Sequence, residues 1–370
     1  MSVPLHVVEP TLDDYSGHCH SLVSSLVRAL RGHAIELWAG QVQQREARQA
    51  QARGGISAVP MTFGSDVTIH SHFRRHDRLQ QMLRLLHRLL RTPARVIVTT
   101  ARTRDLALIA LAAPGRLPAD RVFLYVHWLR DTSSKRRLFR FIAARQPDLS
   151  IFCTTERLVE VFVGCGFRHV AMLPYPAPEP AREETPVPFR RLLYAGAARR
   201  DKGFGIVVDL VQRLASTGSD IPIAVQITPE HYGKYDDPTR ADIARIEAMH
   251  YRPLTLIRET PPPGEYTANF PGSICLQPYD AVDFADRVSG VTLDALAQGC
   301  PIVATTGTWT ARLIQPFDAG IALPSPDAQS VHGAVLALRA DYRRYRANAL
   351  AAARATHAMA WAPLLERLAH

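Results

Sequence analysis

Short apolar runs alternate along this chain with longer stretches whose apolar residues recur at helical spacing. That alternation predicts a wound α/β architecture. Leu5-His6-Val7-Val8 reads as a strand, and Leu22, Val23, Leu26, Val27 and Leu30 as one face of a helix closed by Arg31-Gly32-His33. Ile35-Glu36-Leu37-Trp38 reads as the next strand. This is one β-loop-α-β unit of a doubly wound sheet, with Ser16-Gly17 as a small-residue loop at the first helix N-terminus. A complete G-x-G-x-x-G is missing there, so no dinucleotide fingerprint is supported. More strands are predicted at 96–98, 121–126, 149–152 and 171–173. The prolines and charges of 174–189 suit neither a helix nor a sheet interior and predict a domain boundary. Beyond it, strands at 191–194, 223–227, 254–257 and 274–277 alternate with helices over 206–214 and 241–250, and a long helical tract runs over 341–368. The expected organisation is a Rossmann-like domain over 1–175, a linker over 176–189, a second such domain over 190–345 and a closing helix over 346–370. A length of 370 residues agrees with two domains. Tandem domains of this kind would form a cleft, with ligand loops at the carboxyl ends of their strands.

The stretch from Pro278 to Thr305 carries the most chemistry. Asp286 and Asp294 stand on either side of Val288-Ser289-Gly290-Val291, where an apolar-periodic run begins. The run stops at Gly299, and Pro301-Ile302-Val303-Ala304 reads as a buried strand. One carboxylate therefore precedes a helix N-terminus and the other rides on the helix. The free amides of that N-terminus suit an anion such as a diphosphate, and either carboxylate can accept hydrogen bonds from sugar hydroxyls. Earlier in the chain, the strand at 121–126 runs into His127, and a His at the carboxyl end of such a strand faces the ligand crevice.

The formal net charge of +10 favours anionic partners. His70 to Arg91 reads as a basic amphipathic helix, with Leu79, Met82, Leu83, Leu86 and Leu90 on one face. Its leucines either lie on an anionic bilayer, with Arg84 and Arg88 assisting, or cover the sheet. A second basic segment spans Ser133 to Arg145. The arginine-rich helices lack interleaved aromatics or a known module, which disfavours nucleic acid. Five unpatterned cysteines and the isolated pair Asp13-Asp14 give no metal site, and no metal or cofactor is expected. No signal peptide is visible and no apolar run approaches the ~20 residues of a membrane helix. A cytoplasmic location is expected, with an anionic inner-membrane surface as a further candidate partner.

Residues 190–310, and more weakly most of the chain, resemble the retaining GT-B glycosyltransferases of glycosyltransferase family 4. The family's glycine turn with its downstream Lys-Gly is similar to Gly196 through Lys202-Gly203. Its E-x7-E element, followed by an alanine-rich helix, glycine and Pro-Val-Val-Ala, resembles Asp286-x7-Asp294 and the run to Ala304. Its closing helix resembles Ala349 to Trp361.

The resemblance implies a first domain that binds the acceptor and a second that binds a nucleotide-sugar donor, with a final helix crossing back to the first. It implies transfer of a sugar to a glycan, lipid-linked or protein acceptor, with retention and without metal. Arg199 and Lys202 would meet the charge growing on the diphosphate leaving group, with Ser289, Gly290 and Val291 offering backbone donors. Asp286 would hold donor-sugar hydroxyls and Asp294 the nucleotide ribose. Arg287 would add a diphosphate contact or select an acidic sugar. His127 would face the reacting centre, Gly196 would form the turn, and Gly17 would let the backbone approach the phosphates. Both family glutamates are aspartates here, and Ala197 replaces the arginine after the glycine turn. Those departures motivate an alternative: a catalytically degenerate GT-B protein that binds a glycan or partner without transferring sugar.

Overall fold

The computed structural model describes residues 4–13, 18–41, 63–182, 187–228 and 235–369. The chain folds as two compact units, Met1–Pro176 with Met359–His370, and Ala177–Ala358.

In the first unit, β1 (Leu5–Glu9), β2 (Ile35–Ala39), β3 (Val67–Ser71), β4 (Arg95–Val98), β5 (Val122–Val126), β6 (Ser150–Cys153) and β7 (His169–Met172) form a parallel sheet. Its order is β3-β2-β1-β4-β5-β6-β7. Leu5 of β1 pairs with Ile35 on one side and Arg95 on the other, so the order reverses between β1 and β4. Every residue of β1 and of β5 is buried, as a parallel sheet covered on both faces requires. One face is covered by α1 (His18–Ala29), through Leu22 and Leu26. The other is covered by α2 (Arg78–Leu89), α3 (Thr103–Ala112), α4 (Ser133–Arg145) and α5 (Glu156–Val163), through residues such as Leu86, Ile109, Phe139 and Phe162.

The segment read as one helix from His70 is divided. His70 and Ser71 belong to β3, and α2 begins at Arg78. β3 is an edge strand, which tolerates polar residues, and His70 stacks on Trp38 of β2 with ring centroids 4.1 Å apart. The apolar face of α2 is committed to the core through Met82, Leu85, Leu86 and Leu89. Arg88 lies 4.7 Å over the Trp38 ring, so it covers the sheet.

In the second unit, β8 (Arg191–Tyr194), β9 (Ile223–Gln226), β10 (Leu254–Ile257), β11 (Ser273–Gln277), β12 (Ile302–Thr305) and β13 (Gly320–Leu323) form a second parallel sheet in the order β10-β9-β8-β11-β12-β13. Its order reverses between β8 and β11. The helices are α6 (Phe204–Ser216), α7 (Asp237–Glu247), α8 (Pro263–Ala268), α9 (Gly290–Ala297), α10 (Trp309–Ile314), α11 (Ala328–Ala340) and α12 (Tyr342–Ala358). The helix α8 lies in a stretch for which the sequence predicts no element, and it starts at Pro263. Proline is tolerated in a first turn because its missing N–H has no intrahelical partner there.

The tract 341–368 is not continuous. α12 stays with the second unit, where Ala349, Ala352 and Ala353 pack among Ala295, Leu296 and Ile302. Trp361 then takes a left-handed φ of 66° and α13 (Ala362–Ala369) joins the first unit. The return begins at Met359, later than the 346 expected. It is fixed by Trp361, whose indole N–H donates to Ser25 Oγ at 2.9 Å, and by Leu364 in the core beneath α1.

Candidate functional site

The two loops singled out in the second half leave the sheet at its switch point, where ligands of doubly wound sheets bind. Gly196 follows β8 and Pro278 follows β11, and these strands are neighbours. Gly196 turns with φ 96°, and its N–H donates to Gln226 Oε1 at 2.7 Å, which pins the turn to β9. A single 3-10 turn (Arg200–Lys202) follows and ends at Gly203, whose φ of 70° opens α6. A Cβ on Gly203 would stand 2.1 Å from the Pro278 carbonyl oxygen, so glycine there lets the two loops touch. The Asp280 N–H donates to the Asp201 carbonyl oxygen at 2.9 Å and joins them further. Gly203→Ala is expected to lower stability by about 2 kcal/mol, from the left-handed backbone and the clash together. Thermal denaturation checks this, and an unchanged melting point would contradict the contact.

α9 begins where the chemistry of the loop predicts. Ser289 precedes it in extended conformation and makes no side-chain cap bond, so helix geometry leaves the first-turn amides of Gly290 and Val291 pointing outward. Gly290 enters the helix without a positive φ; a Cβ there would meet open space. The helix start is anchored from behind: Thr292 Oγ1 donates to Gln277 Oε1 at 2.6 Å and lies 3.0 Å from Thr310 Oγ1. Gly299, at φ 72°, ends the helix, with the Cys300 N–H donating back to Ala295 O.

The structure brings several of the expected residues together. Lys202 Nζ lies 3.3 Å from where a Gly196 Cβ would stand, and Val291 Cγ2 lies 3.5 Å from that same point. Lys202 is half-buried, with the Tyr279 ring 5.8 Å from Nζ. Burial first, and then the guanidinium groups of Arg199 and Arg287, push its pKa down to about 8. Arg199 is held by Asp201, its Nε donating to Oδ1 at 2.8 Å and its second nitrogen to Oδ2. Arg287 reaches the same carboxylate at 3.8 Å and lies 4.9 Å over Phe284. Asp286, in the loop before α9, lies 3.4 Å from an Arg312 nitrogen.

On the helix itself, Asp294 accepts a 2.9 Å hydrogen bond from the Tyr266 hydroxyl of α8. Desolvation raises its pKa to about 6, against the partial lowering by that bond. Neither Tyr266 nor Asp201 was legible as a site residue. Tyr266 sits in a segment for which the sequence predicts no element, and Asp201 looks like one charge in a run of charges.

In the first unit, His127 follows β5 as expected. Its ring lies 4.4 Å from Tyr125 and 5.2 Å from Tyr175, both edge-on, and its carbonyl accepts from Thr154 Oγ1 at 2.9 Å. Gly17 and Asp14 lie outside the described residues. Asp13 is engaged in structure, accepting from the Gln41 N–H and from Arg78. At the switch point of this sheet the Glu9 carboxylate is fully buried and accepts from Thr11, Thr99 and Thr100. Among the described residues no group of three or more His, Cys, Asp or Glu is placed to hold a metal ion. No helix among them is long and apolar enough to cross a membrane.

No protein-family model matches this sequence, and no curated protein matches it. Solved structures do match, over the full length. Sucrose-phosphate synthase from Thermosynechococcus elongatus is similar with a TM-score of 0.65 at 13% identity, covering 100% of this chain and 98% of that one. The UDP-forming α,α-trehalose-phosphate synthase from Burkholderia vietnamiensis gives 0.66 at 12%, with the same coverage. Anabaena HepE in complex with UDP-glucose gives 0.65 at 10%, covering 100% and 98%. At such identities the likeness is one of fold: the chain has the two-sheet α/β architecture of these GT-B proteins.

Proposed function

We propose that this protein is a glycosyltransferase of the EC 2.4 class that moves a sugar from a nucleotide-sugar donor to a glycan, lipid-linked or protein acceptor. The observation that carries the reading is the convergence of Arg199, Lys202 and Arg287 with the open amide end of α9 at the switch point of the second sheet. One solved protein of the same fold, Anabaena HepE, is known in complex with UDP and with UDP-glucose.

Cleavage of the glycosyl–phosphate bond leaves negative charge on a diphosphate while the sugar carbon becomes positive. Fixed cations and helix amides placed where that charge grows stabilise the transition state by several kcal/mol. In this reading Lys202 and Arg199 meet the diphosphate with Gly290 and Val291, so the leaving group needs no metal ion. Arg287 adds a third cation at its edge. Asp294, steadied by Tyr266, accepts from the ribose hydroxyls, and Asp286 accepts from the donor sugar. Retention of anomeric configuration, and the roles of His127 and Gly17, rest on the family resemblance alone. Incubation with UDP-, GDP-, ADP- and dTDP-sugars tests the reading: release of a nucleoside diphosphate from one of them is expected. Binding without release under all acceptors supplied would favour the degenerate alternative.

A peripheral contact with an anionic membrane is better supported by α4 than by α2. Leu138 and Phe141 of α4 are exposed, 36% and 55%, among the exposed Arg137, Arg140 and Arg145, and Trp128 just before it is 53% exposed. That is the composition of a surface that seats aromatics in headgroups. Vesicles rich in phosphatidylglycerol should sediment the protein at low salt, and Arg137→Glu with Arg140→Glu should release it. Charge reversal at Arg84 should do less, and equal recovery with neutral vesicles would contradict this surface.

A further inference from the structure

We infer that Asp201 is the positioning residue of the diphosphate subsite, an internal counterion that ties the cations of two separate loops into one preformed anion receptor. The inference rests on reading this loop as the donor site. Its ground is geometric. Arg199 and Asp201 belong to the turn after β8, whereas Arg287 comes from the loop before α9. The Asp201 carboxylate is where both guanidinium groups meet: Arg199 binds both of its oxygens, and Arg287 lies 3.8 Å from Oδ2. The backbone of the same residue is fastened to the β11 loop by the Asp280 N–H. Asp201 is therefore tied to both walls of the subsite.

Three like charges gathered in a partly desolvated turn repel one another, and a lysine among arginines is the first to lose its proton because its intrinsic pKa is the lowest. Lys202 is that group. The groups acting on it are Arg199 and Arg287, which lower its pKa beyond the effect of burial, and Asp201, which opposes them; the Tyr279 ring faces it without a charge. Asp286 is engaged by Arg312. With the carboxylate in place the cluster carries two net positive charges, which matches a nucleotide sugar's doubly charged diphosphate. Without it, the two arginines lose their common anchor and Lys202 loses its proton at lower pH.

The chain has only three lysines, Lys135, Lys202 and Lys234, so the claim can be read directly. The full-length protein is labelled with lysine carrying 13C at Cε, Lys202 is assigned by Lys202→Arg, and its signal is followed against pH without any ligand. Asp201→Asn is expected to move the Lys202 midpoint down by on the order of one pH unit. Asp201→Glu should keep it near the wild-type value, and Arg287→Gln should move it up. A merely structural aspartate would leave the midpoint in place, and an unchanged midpoint in folded Asp201→Asn and Arg287→Gln overturns the inference. Parallel titration with UDP-glucose separates the two claims. If the midpoint moves as stated but UDP-glucose and the other nucleotide sugars fail to bind the wild type, the counterion stands and the donor reading falls.

Discussion

Lys202→Ala is expected to lower kcat/KM for sugar transfer by about 10²–10³-fold, the usual loss when one preorganised charge donor to a developing oxyanion is removed. The effect should fall on kcat as well as on donor affinity, because the diphosphate gains charge as the glycosyl bond breaks. The fold should survive: Lys202 is half-buried, and no hydrophobic cluster of the second unit depends on it. Lys202→Arg should keep part of the activity, limited by the small space beside Gly196, where a Cβ would already stand 3.3 Å from Nζ. Steady-state kinetics with the donor found active, together with a melting curve, check both statements. Transfer at the wild-type rate by Lys202→Ala would remove this loop from the site.

Donor affinity should be confined to a pH window set by two groups of the second unit. Asp294 has a raised pKa of about 6, so it is charged above that value and protonated below it. Ribose hydroxyls need the charged acceptor, and affinity should fall as pH drops through about 6. Lys202 has a lowered pKa of about 8, so its charge is present below that value and lost above it. Affinity should therefore fall again as pH rises through about 8. A charged hydrogen bond contributes about 1.5–3 kcal/mol, so each limb corresponds to roughly a tenfold to hundredfold change. The sugar-linked diphosphate is a diester and does not itself titrate across this range, so calorimetry with a nucleotide sugar reads the protein. Asp294→Ala should bind weakly at all pH and lose the acid limb. Tyr266→Phe removes a bond that favours the charged carboxylate and should move the acid limb to higher pH. A flat profile in the wild type would contradict the assignment of both groups.

Much of the second unit was legible because its local signals agree with its packing. The run from Pro278 to Thr305 reads as loop, helix, glycine stop and strand, and the structure places α9, Gly299 and β12 in that order. Gly196 and Gly203 both take the positive φ that a strand-to-helix turn asks for. What stayed hidden depended on tertiary partners. β3 is polar and becomes a strand because β2 pairs with it along its length. The break at Met359 to Trp361 has a local signal in Pro363, which cannot continue a helix, but the partner that fixes Trp361 lies far away in sequence, at Ser25. Asp201 and Tyr266 gain meaning only from Arg287 and Asp294, which no spacing rule connects to them. Whether the basic helix α2 faces a membrane or the sheet stayed open because periodicity shows an apolar face without showing what covers it.

The central claim is that the turn from Gly196 to Gly203 and the start of α9 bind the diphosphate of a sugar nucleotide. Isothermal titration of the wild type and of Lys202→Ala with UDP, GDP, ADP and dTDP tests it most directly. The account predicts saturable binding of at least one of them by the wild type, weakened at least tenfold, about 1.4 kcal/mol, in the variant. No binding of any nucleoside diphosphate, or equal affinity in both proteins, would contradict it.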